Sequence, residues 1–589
     1  MKPIIYLSIV IKGVHNSEQR WDYALYLGDE FYEMDCSVKT CPESSNSIID
    51  DIIQIAKNYK VVLVGMNSDI HITNQFKSLL WQTLDILPVT IDISNNNMTI
   101  EELACETFQH ALSVMAPASR LPSITNINVN THNKVQVDSN YRIHLTSVQD
   151  YTRFIPADDI IDLQHSITWA KEHQLKLAFI NSTPRGGGVA MMRHALLRFF
   201  HVNDVKNVDW YVMKPDPKVF AITKKKFHNV LQGVSDIELT DDEKTIYEHW
   251  CRRNVEETHW ATLLHEYDVI VIDDPQPVGI VPWIKKYAPK TKIVYRNHID
   301  MDNTKVNGND TVASRTFDYL LQFIEQCDVT VSHPIQVPTK LTECVKKCYQ
   351  FPASTDPLDG LNKYMLIETV HWYLDHFDRL CNDTGQPVPD RNKSWIVQIS
   401  RFDPSKGIDD VIDTYLKLPT AIRNQTHLIV TGHGSIDDPE GNVICKQVQE
   451  HVKELDHSIQ QHITIIGLPP SDQLLNAILR YAKIALQLSI REGFEVKVTE
   501  AILKGVPVIA YRTGGIVLQI KDGVTGFLVE PRDTLTVADK ITELLMNQVL
   551  YDKIHKGCTE EFEHLTSYLT PCNAIRWMRL CMDLYPERD

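Results

Sequence analysis

Short apolar runs alternate with helical stretches along most of the chain. From about residue 175 the runs are rich in valine and isoleucine, and they occur at 175–182, 208–213, 267–274, 292–300 and 328–333. Continuous runs of this kind, separated by helices, are typical of strands that are buried on both faces of a parallel sheet. The pattern therefore predicts a doubly wound α/β domain.

The same alternation begins again after a segment rich in proline and polar residues at 381–394. The later apolar runs occur at 395–400, 427–432, 462–467, 484–489, 506–510 and 526–530. They predict a second parallel sheet. Two such domains in tandem leave a cleft at the carboxyl ends of their strands, where open α/β sheets bind ligands. We therefore expect the function in this cleft and a hinge at 381–394.

The predicted organisation has three parts. An N-terminal α/β extension at 1–165 contains strand-like runs at 4–11, 59–67 and 88–94 but no chemical motif. A first Rossmann-like domain at 166–385 is expected to form the sugar side of the cleft, and a second at 386–565 the phosphate side. The amphipathic C-terminal segment, 566–589, is expected to form a helix that returns to the first domain.

Length, charge and cysteine usage limit the possible classes of protein. A chain of 589 residues is too long for one core, since domains hold about 100 to 200 residues. The net charge of -17 argues against nucleic acid or anionic lipid as a partner. The twelve cysteines form no Cys-x-x-Cys pair, which favours reduced thiols in the cytoplasm and no metal site. The apolar runs are shorter than the roughly 20 residues of a membrane helix.

A glycine-rich loop is the first candidate for a binding function. Gly186, Gly187 and Gly188 follow the run at 175–182 and precede a helical stretch. Glycine lets the backbone approach a ligand, and the N-terminus of a helix offers N–H groups to an anion. The loop matches neither the P-loop nor the G-x-G-x-x-G pattern, so a tight turn without a ligand is an equal alternative. Gly187 and Gly188 are the candidate binding residues.

Two basic residues follow the first strand of the second domain. Arg401 supplies a planar fork of donors and Lys406 a point charge, and both suit phosphate oxygens. Taken alone, two basic residues in a loop are usually solvated. Their position directly after the buried run at 395–400 favours a phosphate clamp in the cleft.

Two glutamates form the third candidate. Glu492 and Glu500 are eight residues apart, which places them about two turns apart on nearly one face of a helix. Glu492 can accept sugar hydroxyls beside the N–H groups of Gly493 and Phe494, whereas Glu500 can hold a second hydroxyl or a basic side chain. Such pairs are mostly structural, but the Gly-Phe step after the first glutamate makes this pattern more specific.

These segments resemble a known family over about residues 175 to 589. REGFEVKVTEA at 491–501 and the segments at 504–516 and 522–531 are similar to the E-x7-E signature, and the strand that follows it, in retaining glycosyltransferases of the GT-B fold. Together with INSTPRGGGVA, YRNHID, SHP and ISRFDPSKGIDDVI, they resemble the fungal-type trehalose phosphorylases and the related trehalose-synthesising glycosyltransferases.

The resemblance implies an activity and an assembly. It implies a GT-B α/β fold with two Rossmann-like domains, and a phosphorylase that converts trehalose and phosphate reversibly into α-glucose 1-phosphate and glucose. Phosphate is then a substrate and no cofactor is needed. The glucosyl group is expected to move by a front-face route with retention at the anomeric carbon. The resemblance also implies a cytoplasmic homodimer whose other partners are these small molecules.

The resemblance further implies roles for the candidate residues. Arg401 and Lys406 are expected to hold phosphate. Glu492, with Gly493 and Phe494, is expected to meet hydroxyls of the transferred glucose, and Glu500 to support the same subsite. In the first domain the residues expected to line the sugar subsites are His298 with its neighbours Arg296 and Asp300, and Asp274, for which Asp273 stays an alternative.

Two other functions stay open. One is a transferase that uses a nucleoside-diphosphate glucose, in which Glu500 would bind ribose. The segment at 494–498, FEVKV, looks more like the fungal phosphorylases, because nucleotide-dependent relatives tend to have glycine at the position of Glu495. The other is a sugar-sensing or scaffold protein without catalysis, which Arg401, Lys406 and the two glutamates argue against.

Overall fold

The computed structural model describes residues 2–14, 20–29, 32–42, 47–70, 72–93, 97–113, 128–345, 347–433, 441–560 and 562–586. In these ranges the strands form three large sheets and one short ribbon. The second and third sheets are wholly parallel. The predicted fold class, two Rossmann-like domains that face each other across a cleft and carry an N-terminal α/β extension, is confirmed.

The N-terminal sheet has the order β3-β2-β1-β4-β5, with antiparallel β1, β2 and β3 and parallel β4 and β5. Apolar side chains on both faces of the sheet pack against helices. The elements are β1 (Ile4–Val14), β2 (Arg20–Gly28), β3 (Glu33–Pro42), α1 (Ser47–Asn58), β4 (Lys60–Ser68), α2 (Asn74–Leu84), β5 (Leu87–Thr90) and α3 (Ile100–Leu112), followed by the ribbon of β6 (Asn128–Val129) and β7 (Val135–Gln136).

The sheet of the first Rossmann-like domain has the order β13-β12-β11-β10-β8-β9. Its central strands are buried along their whole length. The strands are β8 (Leu177–Asn181), β9 (Val208–Val212), β10 (Val269–Asp273), β11 (Lys292–Arg296), β12 (Val329–Ser332) and β13 (Cys348–Gln350). Helices α4 (Asp138–Tyr141) and α5 (Val148–Tyr151) belong to the N-terminal region and precede this domain. The helices that follow are α6 (Ala157–Glu172), α7 (Gly188–Val202), α8 (Pro217–Ile222), α9 (Asn229–Leu231), α10 (Asp241–Glu257), α11 (Trp260–Leu263), α12 (Val281–Tyr287), α13 (Asn303–Val306), α14 (Val312–Ile324) and α15 (Thr339–Cys344).

The sheet of the second Rossmann-like domain has the order β16-β15-β14-β17-β18-β19. Its strands are β14 (Ser394–Ile399), β15 (Thr426–His433), β16 (Ile463–Leu468), β17 (Ile484–Gln487), β18 (Val508–Tyr511) and β19 (Gly526–Val529). The helices from here to the C-terminus are α16 (Ile367–Asp383), α17 (Ile408–Lys417), α18 (Thr420–Asn424), α19 (Gly441–Lys453), α20 (His457–Gln460), α21 (Asp472–Tyr481), α22 (Val496–Leu503), α23 (Thr534–Met546), α24 (Gln548–Glu560) and α25 (Thr570–Leu584).

Two helices cross between the Rossmann-like domains. Helix α16 packs against α21, and its apolar residues join the core of the second sheet. Helix α25 packs against α6 and α7 of the first domain, as expected for the C-terminal segment. The domain limits stay predictions. No helix within the described ranges is long and apolar enough to cross a bilayer.

The N-terminal unit is anchored by a buried carboxylate. Asp85 accepts a hydrogen bond from Lys60 Nζ at 2.6 Å, and Lys363 Nζ lies 2.8 Å from its other oxygen. The Tyr373 hydroxyl donates to Asp85 at 2.7 Å. Burial raises the pKa of Asp85, but the two lysines outweigh it and hold that pKa below its usual range. Lys363 and Tyr373 lie in sequence between the sheets of the first and second Rossmann-like domains. The N-terminal unit is therefore bonded to the segment that connects these domains.

A second link runs through the short α4. Its residues Asp138, Ser139, Asn140 and Tyr141 all have positive φ, from 47° to 61°, so the turn is left-handed. Side chains other than glycine disfavour this conformation. The carboxylate of Asp138 accepts two hydrogen bonds from Arg198 of α7, at 2.6 and 2.9 Å. The strained turn thus ties the N-terminal region to the first domain.

Candidate functional site

A cavity of about 500 Å³ lies between the two Rossmann-like domains. This volume is in the usual range for a site that holds a small ligand. Nine of the twelve predicted site residues line it: Gly187, Gly188, Asp274, His298, Arg401, Lys406, Glu492, Gly493 and Phe494. Arg296, Asp300 and Glu500 are not among the lining residues. The N-terminal region adds Trp81 and Asp138, which no motif had indicated.

The glycine loop opens directly onto this cavity. Helix α7 begins at Gly188, and no side chain caps its first turn. A Cβ atom added at Gly187 or Gly188 would meet no atom within 4 Å. The N–H groups of a first turn have no partner inside the helix, so those of α7 are available to an anion in the cavity.

The predicted phosphate clamp follows β14. Arg401 is half-buried at the cavity, and Lys406 ends a 3₁₀ turn formed by Pro404–Lys406. Gly407, directly after Lys406, has φ of 60°. Its backbone packs closely against Leu488, because a Cβ at Gly407 would lie 2.0 Å from Leu488 O. The two cations therefore lie in the loop after β14 and line the cavity from the second domain.

Two carboxylates share the charge of Lys406. Its Nζ donates to Glu492 and, at 2.6 Å, to Glu495 Oε2. Burial lowers the pKa of Lys406, but the two glutamates outweigh it and raise that pKa above its usual range. Burial raises the pKa of Glu492 to about 7, with Lys406 opposing and Glu495 adding to the shift. Glu492 is thus poised to carry a proton near neutral pH while Glu495 stays ionised.

Glu495 was not among the predicted site residues. It adopts φ 59° and ψ 82° at the start of α22, a left-handed conformation that is uncommon for glutamate. Its carboxylate also accepts Gln487 Nε2 at 3.2 Å and Lys497 N at 3.4 Å. Only the family resemblance pointed to this position, because glycine is usual there in nucleotide-dependent relatives.

Glu500 is not among the residues that line the cavity. Its side chain is fully buried behind the cavity wall, where Thr355 Oγ1 donates to Oε1 at 2.8 Å and Lys497 Nζ to Oε2 at 2.7 Å. Both oxygens are therefore occupied, and direct contact with a sugar hydroxyl is not supported. Of the two roles considered for Glu500, the structure shows the second, in which it holds a basic side chain. That side chain, Lys497, lines the cavity.

Asp273, the open alternative to Asp274, orients His298. Arg193 binds both oxygens of Asp273, at 2.7 and 2.6 Å, and His298 Nε2 lies 2.9 Å from Oδ1. Burial raises the pKa of Asp273, but Arg193 and His298 outweigh it and lower that pKa far below its usual range. Since an ionised carboxylate only accepts, Nε2 carries the proton. Asp274 accepts His298 N at 3.0 Å and has φ of 71°.

His298 lines the cavity and carries a buried acceptor atom, Nδ1. Burial lowers its pKa to about 4, with the Asp273 hydrogen bond opposing the shift, so the ring is neutral at physiological pH. With the proton on Nε2, Nδ1 has a free lone pair, and within the described ranges it has no hydrogen-bond partner. An acceptor of this kind suits a sugar hydroxyl.

Arg296 and Asp300 do not contact the cavity, contrary to the prediction. Arg296 is 2% exposed, and its Nη2 lies 3.1 Å from His333 Nδ1 and 2.7 Å from Phe351 O. Asp300 faces Arg491 at 3.9 Å. Both were selected because they lie two residues from His298, but β11 ends at Arg296, so the alternation of a strand does not extend to His298 and Asp300. They support the site from behind.

The two domains meet at Gly493 and Phe494. A Cβ on Gly493 would lie 2.2 Å from His298 O, so only glycine permits this approach. The Phe494 ring stacks on His333 with 5.7 Å between centroids. A buried ion pair, Lys224 with Asp403 at 2.5 Å, also joins the domains. These contacts close the cleft around the cavity.

Comparisons with known proteins agree with this geometry. The family described as trehalose synthase, N-terminal domain, matches residues 179–337, and the family glycosyl transferases group 1 matches 383–560. A trehalose phosphorylase of Grifola frondosa is 36% identical over 83% of this chain and 68% of its own length. A trehalose synthase of Pyrococcus horikoshii is 31% identical over 73% of this chain and 96% of its own.

The chain spans about two thirds of the length of the fungal relatives it matches. Among solved structures, a UDP-forming α,α-trehalose-phosphate synthase of Burkholderia xenovorans, in complex with glucose 6-phosphate, aligns with a TM-score of 0.56. The alignment covers 69% of this chain and 99% of that one at 14% identity. At this identity the similarity concerns the fold alone.

Proposed function

The chain belongs to the glycosyltransferase family of the trehalose phosphorylases and trehalose synthases, and on that premise we propose that it is a retaining trehalose phosphorylase. The reaction is the reversible conversion of trehalose and phosphate into α-glucose 1-phosphate and glucose. The observation that carries the proposal is the cavity itself, which joins a two-cation clamp on the second domain to a neutral histidine acceptor on the first.

Phosphate is assigned to the end of the cavity with Arg401, Lys406 and the first turn of α7. A guanidinium fork and an ammonium both form charge-assisted hydrogen bonds with phosphate oxygens. The helix N-terminus adds N–H groups and a favourable dipole. The carboxylates that share Lys406 limit the net positive charge, which suits a ligand that must leave again as glucose 1-phosphate.

The transferred glucose is assigned to the adjacent space between His298 and Glu492. Nδ1 of His298 accepts one hydroxyl, and Glu492 either accepts or donates, because its pKa is raised to about 7 by burial. Gly493 and Phe494 contribute backbone N–H groups. Glu500 acts one step further back, as a positioning residue that holds Lys497 at the cavity wall.

The carboxylates argue for a front-face mechanism. Retaining glycosidases use a free carboxylate nucleophile, but Arg193 and His298 engage both oxygens of Asp273. In the proposed step the bond from C1 to the departing glucose oxygen breaks, and a phosphate oxygen bonds to C1 from the same face. The phosphate proton passes to the departing oxygen. Arg401 and Lys406 stabilise the negative charge that phosphate carries through this step.

A nucleotide-dependent trehalose synthase is the second candidate, because the Pyrococcus horikoshii enzyme aligns over nearly its whole length. Purified protein would be incubated with trehalose and phosphate, and separately with glucose and a nucleoside-diphosphate glucose. We expect α-glucose 1-phosphate from the first mixture. Trehalose from the second mixture alone would replace the phosphorylase proposal by the synthase, and no product in either would refute both.

The assembly and location implied by the resemblance belong to this proposal. We expect a cytoplasmic homodimer, and light scattering should then give twice the 67.6 kDa of one chain. A mass of one chain at micromolar concentration would contradict the dimer without bearing on the reaction.

A further inference from the structure

Two oppositely charged residues, Glu495 and Lys497, line the cavity next to the phosphate clamp. We propose that these two residues form an electrostatic filter that admits a single phosphate group and excludes a nucleoside diphosphate. This inference rests on the proposed function, since it explains how that same site would choose inorganic phosphate over a nucleotide sugar. It is carried by three sets of contacts.

Glu495 reduces the charge available for a second phosphate. Its carboxylate lies 2.6 Å from Lys406 Nζ, which also donates to Glu492. Lys406 can therefore offer one phosphate group a hydrogen bond only in competition with two carboxylates. The backbone of Glu495 is left-handed, which glycine adopts freely and glutamate does not. A strained residue persists where its side chain has a use, and the contact with Lys406 is the use that the structure shows.

Lys497 blocks access to the carboxylate of Glu500. Its Nζ donates to Glu500 Oε2 at 2.7 Å, and Thr355 occupies Oε1. In a transferase that uses a nucleoside-diphosphate glucose, Glu500 is the carboxylate expected to bind ribose, and here Lys497 occupies the oxygen that Thr355 leaves open. Lys497 also donates its backbone N–H to Glu495, so the two filter residues are held together at the first turn of α22. Glu500 is thereby unavailable to a nucleoside while the phosphate clamp stays in place.

The wall next to these residues is acidic. Asp359 and Asp472 both line the cavity. Burial raises the pKa of each, and nearby carboxylates add to the shift. A raised pKa favours the protonated, uncharged carboxyl, so neither group supplies a cation for the second phosphate of a diphosphate. The wall beyond Glu495 thus offers a diphosphate no positive partner at these two positions.

The test measures binding, so it does not depend on turnover. Isothermal titration of the full chain would give dissociation constants for α-glucose 1-phosphate and for UDP-glucose. Glu495→Gly removes the carboxylate and the backbone strain, Glu495→Gln removes the charge alone, and Lys497→Met frees Glu500. The matched control is Glu543→Gln, because Glu543 is an exposed glutamate of α23 that pairs only with Lys540 in the described structure.

In wild type we expect α-glucose 1-phosphate to bind at least tenfold more tightly than UDP-glucose. In Glu495→Gly and Glu495→Gln the ratio of the two constants should shift at least tenfold towards UDP-glucose, and further when Lys497→Met is added. The control should keep the wild-type ratio. An unchanged ratio in both Glu495 variants, or wild type that binds UDP-glucose as tightly as glucose 1-phosphate, would overturn the filter. A wild type that binds with the expected ratio but forms no glucose 1-phosphate would instead refute the proposed function.

Discussion

Replacing Lys406 by alanine is the most direct perturbation of the proposed site. The substitution removes one of the two cations assigned to phosphate and leaves Glu492 and Glu495 side by side without their shared partner. Loss of one preorganised electrostatic donor costs about 2.7–4 kcal/mol in transition-state stabilisation. We therefore expect kcat/KM for phosphorolysis to fall by about 10² to 10³.

The same substitution should also lower stability. Removing one partner of a buried ion pair costs about 3–5 kcal/mol, because the other charge is left uncompensated. Here part of that cost is avoided, since Glu492 takes up a proton readily, its pKa being raised to about 7 by burial. We expect a net loss of about 1–3 kcal/mol in the free energy of unfolding.

The assay follows release of α-glucose 1-phosphate from trehalose at saturating phosphate, below the melting temperature of the variant. Lys406→Arg is the matched variant, since it keeps the charge but changes its geometry. Lys540→Ala, on the exposed face of α23, controls for loss of a lysine elsewhere. Turnover by Lys406→Ala within about threefold of wild type would refute the assignment of phosphate to this end of the cavity.

Three further predictions concern charges outside the clamp. Asp273→Asn should lower kcat by about 10- to 100-fold, since a hydrogen bond to a charged group is worth about 1.5–3 kcal/mol and this one fixes the tautomer of His298. Because Arg193 also loses its buried partner, the free energy of unfolding should fall by about 3–5 kcal/mol, and steady-state kinetics below the melting temperature of the variant would check the loss of kcat. Asp85→Asn should lower the free energy of unfolding by about 3–5 kcal/mol in a urea titration, because Lys60 and Lys363 stay buried without a carboxylate; a loss below 1 kcal/mol would contradict this. Burial raises the pKa of Asp300 to about 6, so the stability this carboxyl contributes at pH 4 is lost as pH rises through 6; Asp300→Asn should therefore gain stability relative to wild type between pH 4 and pH 7, and a constant difference across that range would count against the shift.

Strands with continuous apolar runs could be predicted, and short edge strands could not. The predicted run at 267–274 contains the observed β10, Val269–Asp273, whose residues are all buried. Strand β13, Cys348–Gln350, was missed because it is an edge strand whose residues are largely exposed, so it carries no apolar pattern. Strands β2 and β3 were missed as well, although β2 is apolar over most of its length. Exposure accounts for the missed β13 but not for β2, in which six of nine residues are buried.

The cavity residues that belong to a motif could be predicted, and those that act through partners distant in sequence could not. Lys406 and Glu492 were both identified, although the ion pair between them was not. Lys497 was missed, yet its position three residues before Glu500 on one helix is a readable spacing for a salt bridge. The Asp85 anchor joins residues up to 288 positions apart, and no local pattern predicts such a contact.

The anchors of the N-terminal region have a consequence for the order of events in a catalytic cycle. Asp85 bonds this region to the segment between the domains, and Asp138 bonds it to the first domain. Because the N-terminal region is bonded both to this connecting segment and to the first domain, it limits how far apart the two Rossmann-like domains can move. Products would then escape through a narrow opening, and their departure would be slower than bond cleavage. Rapid mixing should show this as a burst of glucose 1-phosphate, of about one equivalent per site, ahead of the steady rate.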